Sequence, residues 1–458
     1  MNVSAPNSTE TRYPITNNLS YLYQVYCSYI ILFRNTEKKH NFLSLELLRK
    51  SLHVLVRKYY QPVAGWFDIN GDEIDVIFST EKFNDPPFSS QTLSMDYGTL
   101  AQHVHDSNTE LLVPKYPSGI ITKENTDIPM FLVKATYVDD GSAVVLGVTY
   151  HHSLMDGSAF WMFMNNWASV SRQLSIQGDQ AEFNLPFPPT FGFPSIDHLH
   201  DASQSFDHIE YAIVDAKDCA REFQPGTERI VETVLTVSVE QQLKIRSMAR
   251  NHSVNFTEML CAIFWKGISE VRLRARPEIG EARSLFTCAV NPRGRLGISS
   301  TLCASPVINM AAWETVGAVS AYDVGCVAQL VSQSLNKCTG TYLASSFKFI
   351  LSQRKRELED EQNGCVDKKS MLVYVCPMEA KCTVSSSRSF PIYETDFGFG
   401  RPEYVRPPFL PFDGCLRIWP TPQYSCKPGA EGAPLEIYLS QPESLDLASS
   451  SLLRQFMN

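Results

Sequence analysis

The stretch His151-His152-Ser-Leu-Met-Asp156-Gly157 gathers the side chains best suited to moving a proton. Imidazole alone has an ordinary pKa, about 6.5, close to neutrality, so it takes and returns a proton at little cost. Neighbouring histidines at a strand end point to opposite sides, so one can face a cleft while the other packs inward. Asp156, downstream of His152, can orient the imidazole, cap the next helix or pair with an arginine. Taken locally, the pattern is also met by two hydrogen-bonded core imidazoles and a helix-capping aspartate.

Motifs for other chemistries are missing. No GxSxG elbow supplies a serine nucleophile, and the chain has no HExxH, no GxxxxGKS/T loop and no GxGxxG after a strand. Asp396-Phe397-Gly398 matches the magnesium-binding tripeptide of protein kinases, but neither HRD nor a Gly-rich loop accompanies it. The 12 cysteines are scattered, Cys376 and Cys382 being the closest pair, and His103-x-His105 has no nearby cysteine. No metal site is expected, and the cysteines read as small core residues of a reducing compartment.

The chain must also position these groups. Its 458 residues suit two domains of roughly 200 residues each. With 44% hydrophobic and 19% charged residues it reads as soluble and globular. A net charge of -9 with no basic stripe argues against a nucleic-acid partner, while leaving room for a local basic pocket. The polar N-terminus lacks a secretory pattern, and apolar Tyr21–Phe33 is too short to span a bilayer, so a cytoplasmic protein with no membrane contact is expected. Asn-x-Ser/Thr triplets at Asn2, Asn7, Asn18, Asn251 and Asn255 are then unmodified.

Periodicity predicts a first strand at Tyr21–Phe33 and a helix over 43–60, with Leu45, Leu48, Leu52, Leu55 and Tyr59 on one face. Strands follow near 131–136 and 143–150. The period then changes, and Phe160, Phe163, Met164, Trp167 and Val170 form one face of a helix over 158–174. A strand-to-helix rim of this kind exposes side chains and N–H groups beside a cleft. The Pro-rich stretch 184–205 is read as a crossing segment between a first domain, 1–183, and a second, 206–458. The second is expected to hold strands at 233–237, 284–290, 371–375 and 435–439, and helices over 240–250, 257–271, 323–336 and 444–456. Strands and helices mix without strict βαβ repetition, which favours two α/β sandwiches.

Together these segments resemble the BAHD family of coenzyme-A-dependent acyltransferases. Its HxxxD motif is similar to His152–Asp156, and its DFGWG to Asp396-Phe397-Gly398-Phe399-Gly400. LRKSLHVLVRKYYQPVAGWF resembles the family's first long helix and "YyPlAGR" ending, with Trp66 where arginine is usual. NFTEMLCAIFWKG, NPRGRL, SFPIYETDFGFGRPEYV and LEIYLS resemble further family segments in the same order, so the likeness covers most of the chain. Phe399 stands where the family usually has Trp, and Ser385-Ser386-Ser387 where it has another. ASPVIN, Ala304–Asn309, is a weak counterpart of "YFGN". The pattern looks more like the fungal branch, whose members mostly acetylate hydroxyls of secondary metabolites.

The resemblance implies two chloramphenicol-acetyltransferase-like α/β sandwich domains with a channel at their interface, HxxxD on the first domain and DFGFG on the second. Acyl-CoA, acetyl-CoA above all, and an alcohol acceptor would be co-substrates of a monomer with no tightly bound cofactor. The family register makes His152 the base, with His151 as the alternative. Asp156 would support the site by pairing with Arg293, or else Arg295, and Asp396 would anchor a loop. Thr257, also a candidate helix cap, and Ser305 are assigned to coenzyme A binding, and Trp265 to core or channel wall. Rival readings are a condensation-like enzyme fed by a carrier protein and an inactive ligand-binding member.

Overall fold

The computed structural model describes residues 10–457 except 17–18, 21–23, 72, 106–109, 179–181, 195–205, 216–227, 365–368, 374–379, 410–411 and 421–431. By proximity the chain divides into two compact units. One comprises 1–195, 298–306 and 390–409, and the other 196–297, 307–389 and 410–458.

In the first unit β1 (Glu10–Pro14), β3 (Trp66–Asn70) and β4 (Glu73–Ser79) form a small sheet ordered β1-β4-β3. The main sheet has the order β14-β2-β7-β6-β5, from Tyr404–Arg406, Tyr26–Arg34, Ala143–His151, Phe131–Val138 and Phe88–Leu93. Every residue of β7 is buried, which is why AVVLGVTYH reads as a continuous apolar run rather than an alternation. Gly147 lies where a Cβ would come 1.9 Å from the Leu112 carbonyl oxygen, so only glycine lets the chain cross so close to the strand.

Helix α1 (Leu45–Tyr59) starts at Ser44, whose hydroxyl accepts from the Leu47 N–H, and buries Leu48, Leu52, Leu55 and Val56. A short helix α2 spans Tyr97–His105. Helix α3 (Gly157–Gln177) lies against α1, and the Trp167 indole N–H reaches Ser51 Oγ at 2.9 Å.

The linear division placed Asp396–Gly400 in the second domain, whereas the folded chain holds this segment in the first unit. The reason is pairing: β14 runs antiparallel to β2, with Tyr404 opposite Leu32 and Arg406 opposite Ile30. Of the crossing segment, 184–194 belongs with the first unit and Thr190 bridges to Leu302, while 195–205 lies outside the described residues.

The second unit is built on a six-stranded sheet in the order β11-β10-β13-β15-β16-β9. Its strands are Ile308–Thr315, Arg283–Val290, Lys381–Ser386, Cys415–Ile418, Ala433–Ser440 and Ile230–Val237. A separate pair joins β8 (Tyr211–Asp215) to β12 (Lys369–Val373). Helix α4 (Val239–Asn251) and the longer α5 (Phe256–Ala275) both open with capping boxes, Ser238 with Gln241 and Asn255 with Glu258. The fold continues with α6 (Val316–Ala321), α7 (Val324–Lys337), α8 (Gly340–Gln362), α9 (Gln441–Ser449) and α10 (Ser451–Met457). Trp265 of α5 is fully buried, with its indole N–H 2.9 Å from Ser284 Oγ, and is therefore core. Among the described residues no helix is long and apolar enough to cross a membrane.

Candidate active site

His151 is the last residue of β7, and residues 152–156 make the turn into α3. The turn is pinned at several backbone points. The His152 N–H donates to the Val25 carbonyl at 2.8 Å, Leu154 N–H to His151 at 2.9 Å, and Asp156 N–H to Ala304 at 3.1 Å. Asp156, buried, is the N-cap of α3, with Oδ1 accepting from the Ala159 N–H at 2.9 Å. Gly157 completes the motif for a steric reason: a Cβ there would lie 2.9 Å from Cε2 of the Phe390 ring.

The two histidines have different surroundings. His151 has no exposed surface; its Nδ1 accepts from the Ser153 N–H at 3.3 Å, so its other nitrogen, Nε2, carries the proton donated to the Gly119 carbonyl at 2.7 Å. Tyr26 and Phe67 pack on this ring at 5.0 Å. Burial pushes its pKa down to about 4; the Gly119 carbonyl opposes this and His152 reinforces it. With both nitrogens engaged by backbone, His151 is a neutral structural imidazole.

His152 keeps intermediate exposure. Its Nδ1 lies 2.9 Å from Ser305 Oγ, and the Ser305 N–H in turn donates to Ser20 Oγ at 2.8 Å. Burial lowers the His152 pKa, while the Asp156 charge and the residue's own carbonyl oppose that shift. The downward shift favours the neutral ring, the state a proton acceptor needs.

The Phe390–Gly400 segment buttresses this turn from α3. Asn165 donates to the Pro391 carbonyl at 2.9 Å, and the Arg172 guanidinium donates to the Asp396 carbonyl. The Asp396 carboxylate turns back on its own loop, with Oδ1 accepting from Gly398 N–H at 2.7 Å and Gly400 N–H at 3.0 Å. Those glycines sit at φ 100° and 105°, conformations that side-chain-bearing residues avoid, which explains the spacing of the motif. Phe397 is buried edge-on to Trp167 and Phe33, and Phe399, where the family has Trp, packs edge-on against Phe42 at 5.3 Å.

The other sequence candidates belong to the second unit. Arg293 is buried and Arg295 exposed; the Arg293 guanidinium and backbone N–H both donate to Asn291 Oδ1 at 3.1 Å. Thr257 does not cap α5, because Asn255 occupies that position. Its hydroxyl accepts from Arg388 at 3.2 Å. Arg388 and Arg246 both lie over the Phe256 ring, at 4.5 and 4.8 Å from its centroid. Burial, then the nearby Arg246 charge, lower the Arg388 pKa. Two guanidiniums side by side near a helix N-terminus have the chemistry that phosphate oxygens match.

Sequence reasoning missed Val25, Gly119, Ser20 and Phe390. They lie far from the motif in the chain and act largely through backbone atoms or packing, which leave no residue-type signature. Arg388 and Arg246 were covered only by the general expectation of a basic pocket.

The fold and the histidine-bearing turn define a chloramphenicol-acetyltransferase-like acyltransferase. F. graminearum TRI101, solved with coenzyme A and T-2 mycotoxin, superposes with a TM-score of 0.75 at 16% identity, covering 98% of each chain. The Transferase family matches residues 3–441, and the chain belongs to this family, the BAHD acyltransferases. Rosmarinate synthase of Plectranthus scutellarioides is 24% identical over 401 residues, 85% of this chain and 84% of the relative. The O-acetyltransferase epaC of Aspergillus niger is 24% identical over 339 residues, 70% of this chain and 68% of the relative.

Proposed function

We propose that the protein transfers an acyl group, acetyl foremost, from acyl-CoA to a hydroxyl of a hydrophobic secondary metabolite, with His152 as general base. The observation that carries this reading is the contrast within the histidine pair: His151 is locked to backbone on both nitrogens, whereas His152 is held through Nδ1 on a partly exposed turn. His152 Nε2 takes the acceptor's O–H proton as the oxygen attacks the thioester carbonyl. The tetrahedral adduct then collapses, the C–S bond breaks, and the imidazolium returns the proton to the departing thiolate of coenzyme A. No acyl-enzyme forms, and alignment of the two substrates supplies several kcal/mol of the rate.

In this reading Asp156 fixes the start of α3, the buried Arg293 gives structural support, and Asp396 holds its loop. The coenzyme A phosphates dock on Arg246, Arg388 and Thr257. The acetyl and metabolite assignments draw support from the Aspergillus niger O-acetyltransferase and from F. graminearum TRI101, solved with coenzyme A and T-2 mycotoxin. The protein works as a monomer in the cytoplasm, a compartment that suits the thiols of Cys261 and Cys288.

The test is incubation with acetyl-CoA, larger acyl-CoAs and carrier-bound thioesters against a panel of hydroxylated terpenoids, alkaloids and polyketides. Free thiol and ester product are followed together. Turnover with free acyl-CoA is expected. Turnover only with carrier-bound donors would establish a condensation-like enzyme, and coenzyme A binding with no product from any pair would establish an inactive member.

A further inference from the structure

We propose that Ser305 is a positioning residue, whose hydroxyl holds His152 in the tautomer and orientation that base catalysis requires. This extends the reading of His152 as base and gives Ser305 a task other than binding coenzyme A.

Two observations carry it. Ser305 is fully buried and its Oγ lies 2.9 Å from His152 Nδ1, a contact between residues remote in the chain. The serine is not loose: its N–H donates to Ser20 Oγ, and the adjacent Ala304 carbonyl accepts the Asp156 N–H. The segment bearing Ser305 is therefore fastened to the turn bearing His152. The direction of the bond follows from the role: a base that receives a proton on Nε2 carries its own on Nδ1, so Nδ1–H donates to Ser305 Oγ and the basic lone pair sits on Nε2. The opposite tautomer would put a proton on the nitrogen that must receive one.

The same bond stabilises the imidazolium formed during the reaction, since an acceptor facing Nδ1–H favours the charged ring. The ionisable groups acting on or packed against the ring include Asp156 at the start of α3 and His151 and Tyr150 on β7; Tyr26 and Cys27 of β2 face His151 and Tyr150 across the sheet. Cys303 lies on the segment of Ser305 itself. None changes when the Ser305 hydroxyl is removed, so a shift in the variant reports that hydroxyl.

The experiment compares Ser305→Ala, Ser305→Thr and His152→Ala with the unaltered protein, using acetyl-CoA and an accepted alcohol, with folding checked by circular dichroism. Ser305→Ala is expected to lower kcat roughly ten- to a hundredfold, the range for a hydrogen bond to a charged group. KM for acetyl-CoA should stay unchanged, and the acid limb of kcat/KM should move to lower pH, with Ser305→Thr restoring both. A raised KM with an unmoved acid limb would overturn the proposal in favour of coenzyme A binding. Should the variants fail to fold, 15N spectra of the unaltered protein's imidazoles decide, with His152 assigned as the signal lost on His152→Ala or, if that variant fails too, on His152→Gln. Protonation at Nδ1 supports the proposal and protonation at Nε2 overturns it. If His152→Ala keeps full turnover, the base assignment itself fails; if it is inactive and Ser305→Ala matches the unaltered protein in rate and pH profile, only the positioning role fails.

Discussion

Replacing His151 with Gln should reverse the stability order of the two proteins between neutral and acidic pH. His151 is fully buried and its folded-state pKa is about 4, against about 6.5 when unfolded. Its folded pKa is depressed, so below pH 6.5 the unfolded chain binds the proton the native ring refuses, and stability falls as pH drops toward 4. Above pH 6.5 this contribution is fully present. Between these values it amounts to about 3 kcal/mol, taking 1.36 kcal/mol for each pKa unit. A glutamine amide can donate to the Gly119 carbonyl but leaves Ser153 N–H without its Nδ1 acceptor, a loss of about 1 kcal/mol at pH 7. Urea unfolding of both proteins from pH 7.5 to 4 should therefore show the unaltered protein more stable at pH 7 and less stable at pH 4. Curves that run parallel across this range would refute the claim that His151 is a buried neutral ring. His151→Gln should also keep most of its turnover.

Gly157→Ala places a methyl against the Phe390 ring and should cost about 1–3 kcal/mol. In a double-mutant cycle with Phe390→Leu, thermal denaturation should recover most of that loss, and additive effects would contradict the packing described. Arg388→Ala should raise KM for acyl-CoA roughly tenfold, the equivalent of about 1.4 kcal/mol, with a smaller effect on kcat. The increase should shrink at high salt, because the lost attraction is electrostatic; an unchanged KM would remove this phosphate pocket.

Most single elements were legible from the chain. The spacing of Leu48, Leu52 and Leu55 places α1, and the change of period after Tyr150 places the turn and α3. Where the reading fell short, the missing information was tertiary. Strand β11 had not been anticipated, and the single C-terminal helix expected over 444–456 is two helices, α9 and α10, separated at Ser450. The acidic end of α8, residues 359–362, has no apolar period to announce a helix; it continues turns that bury Leu343, Phe347 and Ile350. The DFGFG segment lies far from β2 in sequence, and nothing in the chain announces that Tyr404–Arg406 will pair there. Within the site, histidine type and spacing identified the turn. The difference between its rings came from Gly119 and Ser153, which act through backbone groups that every residue possesses.

The central claim is that His152 carries the proton in acyl transfer. The most direct test is the turnover of folded His152→Ala with saturating acetyl-CoA and an accepted alcohol, beside His151→Gln as the internal control. The account expects kcat of His152→Ala to fall by roughly 10²- to 10⁴-fold, the usual contribution of a general base, with coenzyme A binding retained. A His152→Ala protein that folds and turns over at the unaltered rate would contradict it.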